Sequence, residues 1–247
     1  MKKYGIAACV AILAITAGPA FAGEKYPRPS GYVNDFAGVL SLDDRNRMEA
    51  LASELERKTS AEVSVVTVED TGDRSIEEYA TGLFEKWGIG KKGRDNGLLI
   101  LVSMRKSEIR IETGYGIEGI MPDGLCGEII RQKIVPAFKD GRFGEGLWNA
   151  VASSASIIAK DAGVNISFLS SLPDEYLNVK SAQVTIEEII VRILFFIILF
   201  AFFGGRIFLF PFIFGGGFWR RGGGGFGGGF GGFGGGMSGG GGASGRW

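Results

Sequence analysis

The sequence predicts an α/β protein, a three-layer domain with helices on both faces of a small mixed β-sheet, followed by one transmembrane helix and a disordered glycine-rich tail. Three observations lead to this prediction. Between residues 31 and 162, segments with helical periodicity alternate with short apolar runs of strand length. From residue 186 the chain is almost continuously apolar, and from residue 215 glycine and phenylalanine dominate.

The first 22 residues have the layout of a secretory signal peptide. Two lysines precede a short apolar run, and Ala20-Phe21-Ala22 supplies the small residues of a cleavage site. Cleavage would leave residues 23–30 as the N-terminal segment of the mature chain. The domain that follows is then predicted to lie outside the cytoplasm. An uncleaved anchor is the alternative.

The first half of the domain is predicted to be helix, strand, helix. Ser41 is an N-cap, and these apolar residues follow it at helical spacing: Met48, Leu51, Ala52 and Leu55. Residues 61–68 form a β-branched run that predicts a strand. Ser75 and Glu78 form a capping box, and the helix behind it has an apolar face made of Ile76, Tyr79, Ala80, Leu83, Phe84 and Trp87.

The second half is predicted to be a β-hairpin and two helices. Residues 97–104 are predicted to form a buried strand. Residues 107–113 alternate between apolar and polar side chains, which predicts a second strand. A helix is predicted from about 125 to 138, where Pro136 should kink or end it. A last helix runs from about 145 to 160. The predicted order is therefore α-β-α-β-β-α-α.

The region after the domain is predicted to attach it to a membrane. Residues 163–185 lack a strong period and are interpreted as a linker, unless they add a strand or helix to the domain. Residues 186–205 are the predicted transmembrane helix, which could extend to 214. Only basic charges follow it, so the positive-inside rule predicts a single-pass cell-membrane protein with a periplasmic domain and a cytoplasmic tail. A re-entrant hairpin with both ends outside and a buried core helix are the alternatives.

The tail, residues 215–247, is predicted to be disordered. A chain so rich in glycine buries too little surface to offset the conformational entropy lost on ordering. Its repeated phenylalanines resemble tracts that self-associate weakly, and a plain flexible tail is the alternative.

The composition excludes several kinds of chemistry. The chain contains no histidine, which removes Ser-His-Asp and Cys-His nucleophile systems and the usual zinc sites. Cys126 would be the one cysteine of the mature chain and is interpreted as a small buried residue. A bound metal would need oxygen ligands, as calcium and magnesium do. The domain carries more acids than bases, so nucleic acid is not an expected partner.

A glycine-rich loop after the hairpin raises the question of a nucleotide site. The stretch IETGYGIEGIMPDG, residues 111–124, contains G-x-G-x-x-G at Gly114, Gly116 and Gly119. The dinucleotide fingerprint places its glycines on a turn that leads from a strand directly into a helix. Here MPDG intervenes, and the preceding strand belongs to a hairpin. The sequence therefore predicts no nucleotide cofactor.

Hairpin topology nevertheless brings acids together at this loop. The two hairpin strands are antiparallel, so Asp95, before the first strand, lies beside the loop after the second. That loop carries Glu118 and Asp123. These three carboxylates, with backbone carbonyls, are a candidate divalent cation site. A turn that simply needs glycine, with solvated acids, is the alternative.

Four stretches resemble the TPM domain family, which is named for a thylakoid-lumen protein, a photosystem II repair factor and an acetylcholine-receptor accessory protein. They are YVNDFAGVLS (32–41), TSAEVSVVTV (59–68), SIEEYATGLFEKWGIGKKGRDNGLLILVS (75–103) and IRIETGYGIEGIMPDG (109–124). The resemblance covers roughly residues 30 to 160 in unbroken order. With a membrane segment and a tail ending GGASGRW, the chain resembles the bacterial membrane-anchored branch.

The resemblance implies a short sheet with helices on both faces. It also implies an accessory or binding role at a membrane or envelope complex, with calcium as a candidate ligand. The alternative is a weak metal-dependent acid phosphatase, for which no catalytic residue is assigned. The candidate metal ligands by resemblance are Asp35, Asp95, Glu118 and Asp123. A third hypothesis is structural, in which the glycine- and phenylalanine-rich tail clusters the protein at the membrane.

Overall fold

The computed structural model describes residues 26–173, 177, 179, 190–191, 193–195 and 233–247. The predicted signal peptide, most of the predicted transmembrane helix and the first part of the predicted tail, up to residue 232, lie outside the described residues. Among the residues described, no helix combines the length and the apolar character needed to cross a membrane.

The described strands form one mixed sheet in the order β1-β2-β3-β4-β5. They are β1 (Val33–Asp35), β2 (Glu62–Val68), β3 (Gly97–Ser103), β4 (Glu108–Gly114) and β5 (Ser238–Arg246). The first three strands are mutually parallel, whereas β4 is antiparallel to both β3 and β5. The mixed sheet and the β3–β4 hairpin confirm the prediction. The two edge strands, β1 and β5, were not predicted.

The first two helices begin where their predicted caps place them. The described α-helices are α1 (Leu42–Thr59), α2 (Ile76–Trp87), α3 (Asp123–Ile129), α4 (Val135–Lys139) and α5 (Phe143–Asp161). The hydroxyl groups of Ser41 and Ser75 accept hydrogen bonds from the third backbone N–H after them, as N-caps do. Gly88 ends α2 with φ +68°, a conformation that glycine adopts without strain.

Helices cover both faces of the sheet, as predicted. On one face, α2 packs on side chains of β2 and β3, including Val66, Val68, Leu99 and Leu101. On the other face, Leu98, Ile100 and Val102 of β3 belong to a larger core that includes residues of α1, α3 and α5. Both β2 and β3 are buried on both faces, and β3 has the nearly continuous apolar sequence that such a position favours.

The predicted helix from 125 to 138 is longer and is interrupted rather than ended. A π-helical turn, Ile130–Ile134, joins α3 to α4. Pro136 has no N–H to donate, and the Val135 N–H bonds to the Ile130 carbonyl, one residue further back than in an α-helix. The wider turn lets the helix continue past the proline.

The domain extends beyond residue 162, where the linker was predicted to begin. Ile166 and Leu169 are buried, and Leu169–Ser171 forms a 3₁₀ turn. Glu54 of α1 accepts hydrogen bonds from the backbone N–H groups of Ser167 and Phe168. Lys58 and these N–H groups lower the pKa of Glu54 to about 2. Residues 164–172 are therefore part of the domain.

The last fifteen residues correct the prediction of a disordered tail. Residues 238–246 form β5, which pairs with the whole length of β4. The glycines that make an isolated tail costly to order also let it lie close to the domain. A Cβ on Gly242 would collide with the Ile111 carbonyl oxygen, and one on Gly245 would lie 2.6 Å from Ile130 Cγ2.

This pairing also corrects the predicted cytoplasmic location of the tail. Two adjacent strands of one sheet must lie on the same side of any membrane. Residues 238–246 pair with residues 108–114 of the domain. The C-terminal segment, residues 233–247, therefore shares the compartment of the domain, as the re-entrant alternative required.

Candidate functional site

The loop after β4 packs against the backbone that precedes β3, as the hairpin topology predicts. The Gly116 N–H donates to the Asp95 carbonyl oxygen at 3.0 Å. A Cβ on Gly114 would collide with that same oxygen, and one on Gly116 would collide with the Arg94 carbonyl. Close packing of two backbones explains the first two glycines of the motif.

Three of the four candidate metal ligands lie along the C-terminal segment. Asp95 Oδ1 accepts the Met237 N–H at 3.0 Å, and Asp123 Oδ1 accepts the Gly242 N–H at 2.7 Å. The Glu118 carboxylate lies beside Gly241, where an added Cβ would be 2.5 Å from Glu118 Oε1. These carboxylates contact different positions along the backbone of residues 237–242, and they form no single cluster among the described residues.

Asp35 lies at the opposite end of the sheet. It pairs with Thr67 near the end of β2, whereas the β3 end beside Asp95 pairs with the start of β2. The Asp35 carboxylate accepts the N–H groups of Val39 and Leu40 at 3.1 and 2.9 Å, and it also accepts the Thr67 hydroxyl. Its role in the structure is to hold the turn into α1.

Within the described ranges, no three acidic or cysteine side chains are close enough together to hold a metal ion. Asp95 and Asp123 each face a backbone N–H of the C-terminal segment. A cation that binds the same Oδ1 atoms would compete with those N–H groups. Calcium binding therefore stays a prediction, and it is coupled to the position of residues 233–247.

We call the cleft that holds this segment the β4 groove. Its floor is the edge of β4, its walls are α2 and α3, and the Asp95 turn and the loop 115–122 close one end. Without β5, strand β4 would be the edge of the sheet. An exposed strand edge is a template for another extended chain.

A buried ion pair forms the polar floor of the β4 groove. Glu112 is fully buried and Arg110 is 6% exposed, and Arg110 Nη2 lies 2.7 Å from Glu112 Oε2. The Ser238 hydroxyl donates to Glu112 Oε1 at 2.6 Å, and the Thr81 hydroxyl donates to the same oxygen at 3.0 Å. Arg110 in turn donates to the carbonyl oxygens of Gly240 and Gly241. Because a buried ion pair is stable only when its remaining donors and acceptors are satisfied, the C-terminal segment completes this network.

An aromatic ring at each end anchors the segment. Phe233 stacks on Trp87, with ring centroids 5.7 Å apart. At the other end, the Trp247 ring packs edge-on against Phe138 at 4.8 Å and lies 6.3 Å from the Phe143 ring. Such aromatic pairs add packing energy beyond the area they bury.

A second charged cluster holds the Phe233 end. Glu62 is 1% exposed and accepts the N–H groups of Gly90 and Gly234. Lys91 forms ion pairs with Glu62 and Glu56. Burial acts to lower the pKa of Lys91, but the bonds to Glu56 and Glu62 outweigh it and raise the pKa overall. The Lys91 ammonium group is therefore held by Glu56 and Glu62.

At the opposite end, β5 is tied to α2 and to β4. The Ser244 hydroxyl donates to Glu77, and this hydrogen bond is the main reason that the pKa of Glu77 is lowered. Arg246 forms an exposed ion pair with Glu108, its register partner. The segment therefore contacts the domain along its whole length.

Sequence reasoning missed Glu62, Arg110 and Glu112. Alternation along β4 suggested that its polar face points to solvent, whereas α2 and the C-terminal segment bury that face. One signal could have revealed the segment. The repeated phenylalanines stop after Phe233, and the remainder, GGGMSGGGGASGRW, carries two serines and ends in Arg-Trp.

A protein-family model described as the TPM domain matches residues 33–157, which include β1 to β4 and most of α5. The chain belongs to the TPM domain family. A solution NMR structure of the N-terminal domain of a P. gingivalis protein is 32% identical, with a TM-score of 0.51, and the match covers 55% of this chain and 86% of that domain.

Among curated proteins, the TPM chain is similar to chloroplastic UPF0603 proteins of plants. The Arabidopsis thaliana protein is 28% identical over 158 residues, which is 60% of this chain and 55% of that protein. An Oryza sativa subsp. indica protein is 26% identical over 134 residues, which is 53% of this chain and 44% of that protein. The chain thus spans about half the length of these relatives.

Proposed function

We propose that this TPM-domain protein is a membrane-anchored, extracytoplasmic accessory module that binds an extended polypeptide segment in the β4 groove. The observation that carries the proposal is the way residues 233–247 lie there. They add a strand to β4, and their backbone N–H groups donate hydrogen bonds to Asp95 and Asp123. The aromatic rings at their two ends pack against rings of the domain. This is peptide recognition by strand addition, in which the main chain supplies affinity and side-chain contacts supply selectivity.

The location rests on sequence. The signal-peptide layout and the apolar block support an anchored, extracytoplasmic domain, and the plant relatives are described as chloroplastic. The β4–β5 pairing adds one requirement, that the last fifteen residues share the compartment of the domain.

The groove can be tested with a peptide of residues 233–247. A chain ending at residue 232 should bind the labelled peptide saturably, and the full chain should bind it much more weakly because its own segment occupies the groove. A peptide with Gly242→Val is the matched control, since its side chain would collide with the Ile111 carbonyl. Equal binding of both peptides, or none by a shortened chain that melts cooperatively, would contradict a groove of this kind.

Calcium is a second candidate ligand, suggested by the carboxylates of Asp95, Glu118 and Asp123, which lie along the same segment. We propose that calcium and the C-terminal segment compete for these carboxylates, because both Asp95 and Asp123 accept N–H groups of that segment. Calcium should then bind more tightly to the chain ending at residue 232 than to the full chain, by calorimetry. Asp95→Asn with Asp123→Asn should abolish binding in both, and binding that survives the pair would move the site elsewhere.

The phosphatase alternative has less support from the site. A phosphoryl group in the loop would need nearby positive charge. Lys91 is held by Glu56 and Glu62, and Arg94 donates to the Ser60 hydroxyl. Turnover of a phosphomonoester that is lost in the Asp95→Asn, Asp123→Asn chain would revive this alternative.

A further inference from the structure

We propose that the β4 groove also receives residues 233–247 of a second copy of this chain, so that neighbouring copies exchange their C-terminal strands. The inference rests on the proposed function of the groove as a binding site. It gives the self-association expected of the tail a defined surface, a register and a partner.

Contacts with the domain fix the position of residues 233–247 in the groove. Its fixed points are the Phe233 stack, the Ser238 hydroxyl on Glu112, the N–H of Gly242 on Asp123 and the Trp247 ring. Each is a contact between residues 233–247 and the domain. A segment from another copy would make the same contacts, as in domain swapping.

The connection to the segment is long enough to reach another copy. Leu177 and Val179 still pack against the domain core, and 53 residues, 180–232, lie between Val179 and Phe233. Even the 18 residues that follow the predicted membrane segment, 215–232, could span at most about 60 Å at 3.3 Å per residue, which is beyond one domain of this size. Contact geometry therefore does not decide which copy supplies the strand. Anchored copies also share one membrane surface, which raises the local concentration of segments for neighbouring grooves.

The β4 groove selects for the sequence of this segment, which favours a second copy over extended chains in general. Side chains at three positions of β5 would meet the groove: Gly239 against the Tyr115 hydroxyl, Gly242 against the Ile111 carbonyl and Gly245 against Ile130. At Gly242 the obstacle is backbone that cannot move aside, so a strand that binds here needs glycine at that position. A ligand must also supply a hydroxyl for Glu112 and a ring for each end, and residues 233–247 of this chain supply all of these.

The test uses full-length chains in membranes, with Cys9→Ser in all of them. One tagged copy carries Glu108→Cys, and a differently tagged copy carries Arg246→Cys, because these positions are register partners. Cys126 is fully buried, and burial raises the pKa of its thiol to about 12, so it does not take part in oxidation near neutral pH. Mild oxidation should join the two tags in one disulfide-linked dimer.

Three further cysteine variants serve as comparisons for this cross-linking experiment. Met237→Cys replaces Arg246→Cys as a collision control, because Met237 is 59% exposed but lies at the other end of the strand pair. Adding Gly242→Val to the Arg246→Cys copy should reduce the mixed dimer at least tenfold. A single chain with both Glu108→Cys and Arg246→Cys reports pairing within one chain.

The outcomes separate this inference from the proposed function. A mixed dimer that exceeds the Met237 control and falls with Gly242→Val supports exchange. An internal disulfide in the double-cysteine chain without any mixed dimer keeps the groove but overturns exchange. Neither product, in chains with an unchanged melting temperature, would overturn both.

Discussion

Gly242→Ala should release the C-terminal segment, whereas Gly240→Ala should only weaken it. Both glycines have positive φ, +119° and +86°, so alanine is strained at either position. At Gly240 nothing lies within 4 Å of the added Cβ, but at Gly242 the Cβ would collide with the Ile111 carbonyl oxygen. The pair therefore separates backbone strain from collision.

The magnitudes follow from those two terms. Backbone strain alone costs about 1–2 kcal/mol for an alanine in the left-handed region. Strain at the more unusual φ of Gly242 costs about 1–3 kcal/mol, and forcing a methyl group into a filled space adds about 1–3 kcal/mol. Because about 1.4 kcal/mol is a factor of ten in an equilibrium constant, opening should rise about 5- to 30-fold for Gly240→Ala. For Gly242→Ala it should rise about 30-fold or more.

Amide hydrogen exchange of residues 238–246, measured by mass spectrometry on the full chain, reports this opening. Exchange in β5 should follow the order wild type, Gly240→Ala, Gly242→Ala, while β2 and β3 stay protected in all three. Equal protection in the wild type and Gly242→Ala would refute the close packing of β5 on β4. Equal loss in both variants would show that strain alone governs docking.

Three further predictions concern the two ends of the segment and its compartment. Trp247→Ala removes the ring that packs on Phe138, so the free energy of unfolding should fall by about 1–3 kcal/mol, which lowers the melting temperature by about 2–10 °C. Arg246→Ala is the control for this variant and should have little effect on the melting temperature, because it removes only an exposed ion pair. Equal shifts in melting temperature for the two variants would show that the Trp247 ring does not anchor the segment. Docking of β5 lowers the pKa of Glu77, chiefly through the hydrogen bond from the Ser244 hydroxyl. The stability that this hydrogen bond gives to docking is therefore complete above the ordinary glutamate pKa of about 4.3. It is lost as the pH falls through the lowered value. The difference in β5 protection between the wild type and Ser244→Ala should therefore shrink below about pH 4, and a constant difference down to pH 3 would contradict this. Finally, Met237→Cys and Tyr115→Cys should react with a membrane-impermeant maleimide from the same side of sealed membranes, and labelling from opposite sides would exclude the β4–β5 pairing.

The elements with a clear period could be predicted from sequence. The apolar spacing from Met48 to Leu55 and the caps at Ser41 and Ser75 identify α1 and α2 without tertiary information. Hairpin topology was enough to place the loop after β4 beside Asp95. Such arguments succeed where local propensity and the final fold agree.

The parts that were missed depend on tertiary contacts. β1 has only three residues, too few for a periodic pattern. β5 is rich in glycine, so its order comes from what it fits against, and composition alone indicates only the entropy that it loses. In the sequence, Arg110 and Glu112 look like residues of a solvated strand face. In the structure, β5 and α2 cover them. The sequence therefore placed the loop beside Asp95, but it did not reveal that residues 233–247 lie against both.

The pairing of β4 with β5 is the central claim, and nuclear Overhauser effects between methyl groups test it directly. Ile111 and Ala243 are register partners, and both contribute to the same core. In the full chain with labelled alanine and isoleucine methyl groups, Ala243 should show a cross-peak to Ile111, and Gly242→Val should remove it. An Ala243 methyl group at its random-coil shift, without a cross-peak to any isoleucine, would show that the C-terminal segment does not occupy the groove.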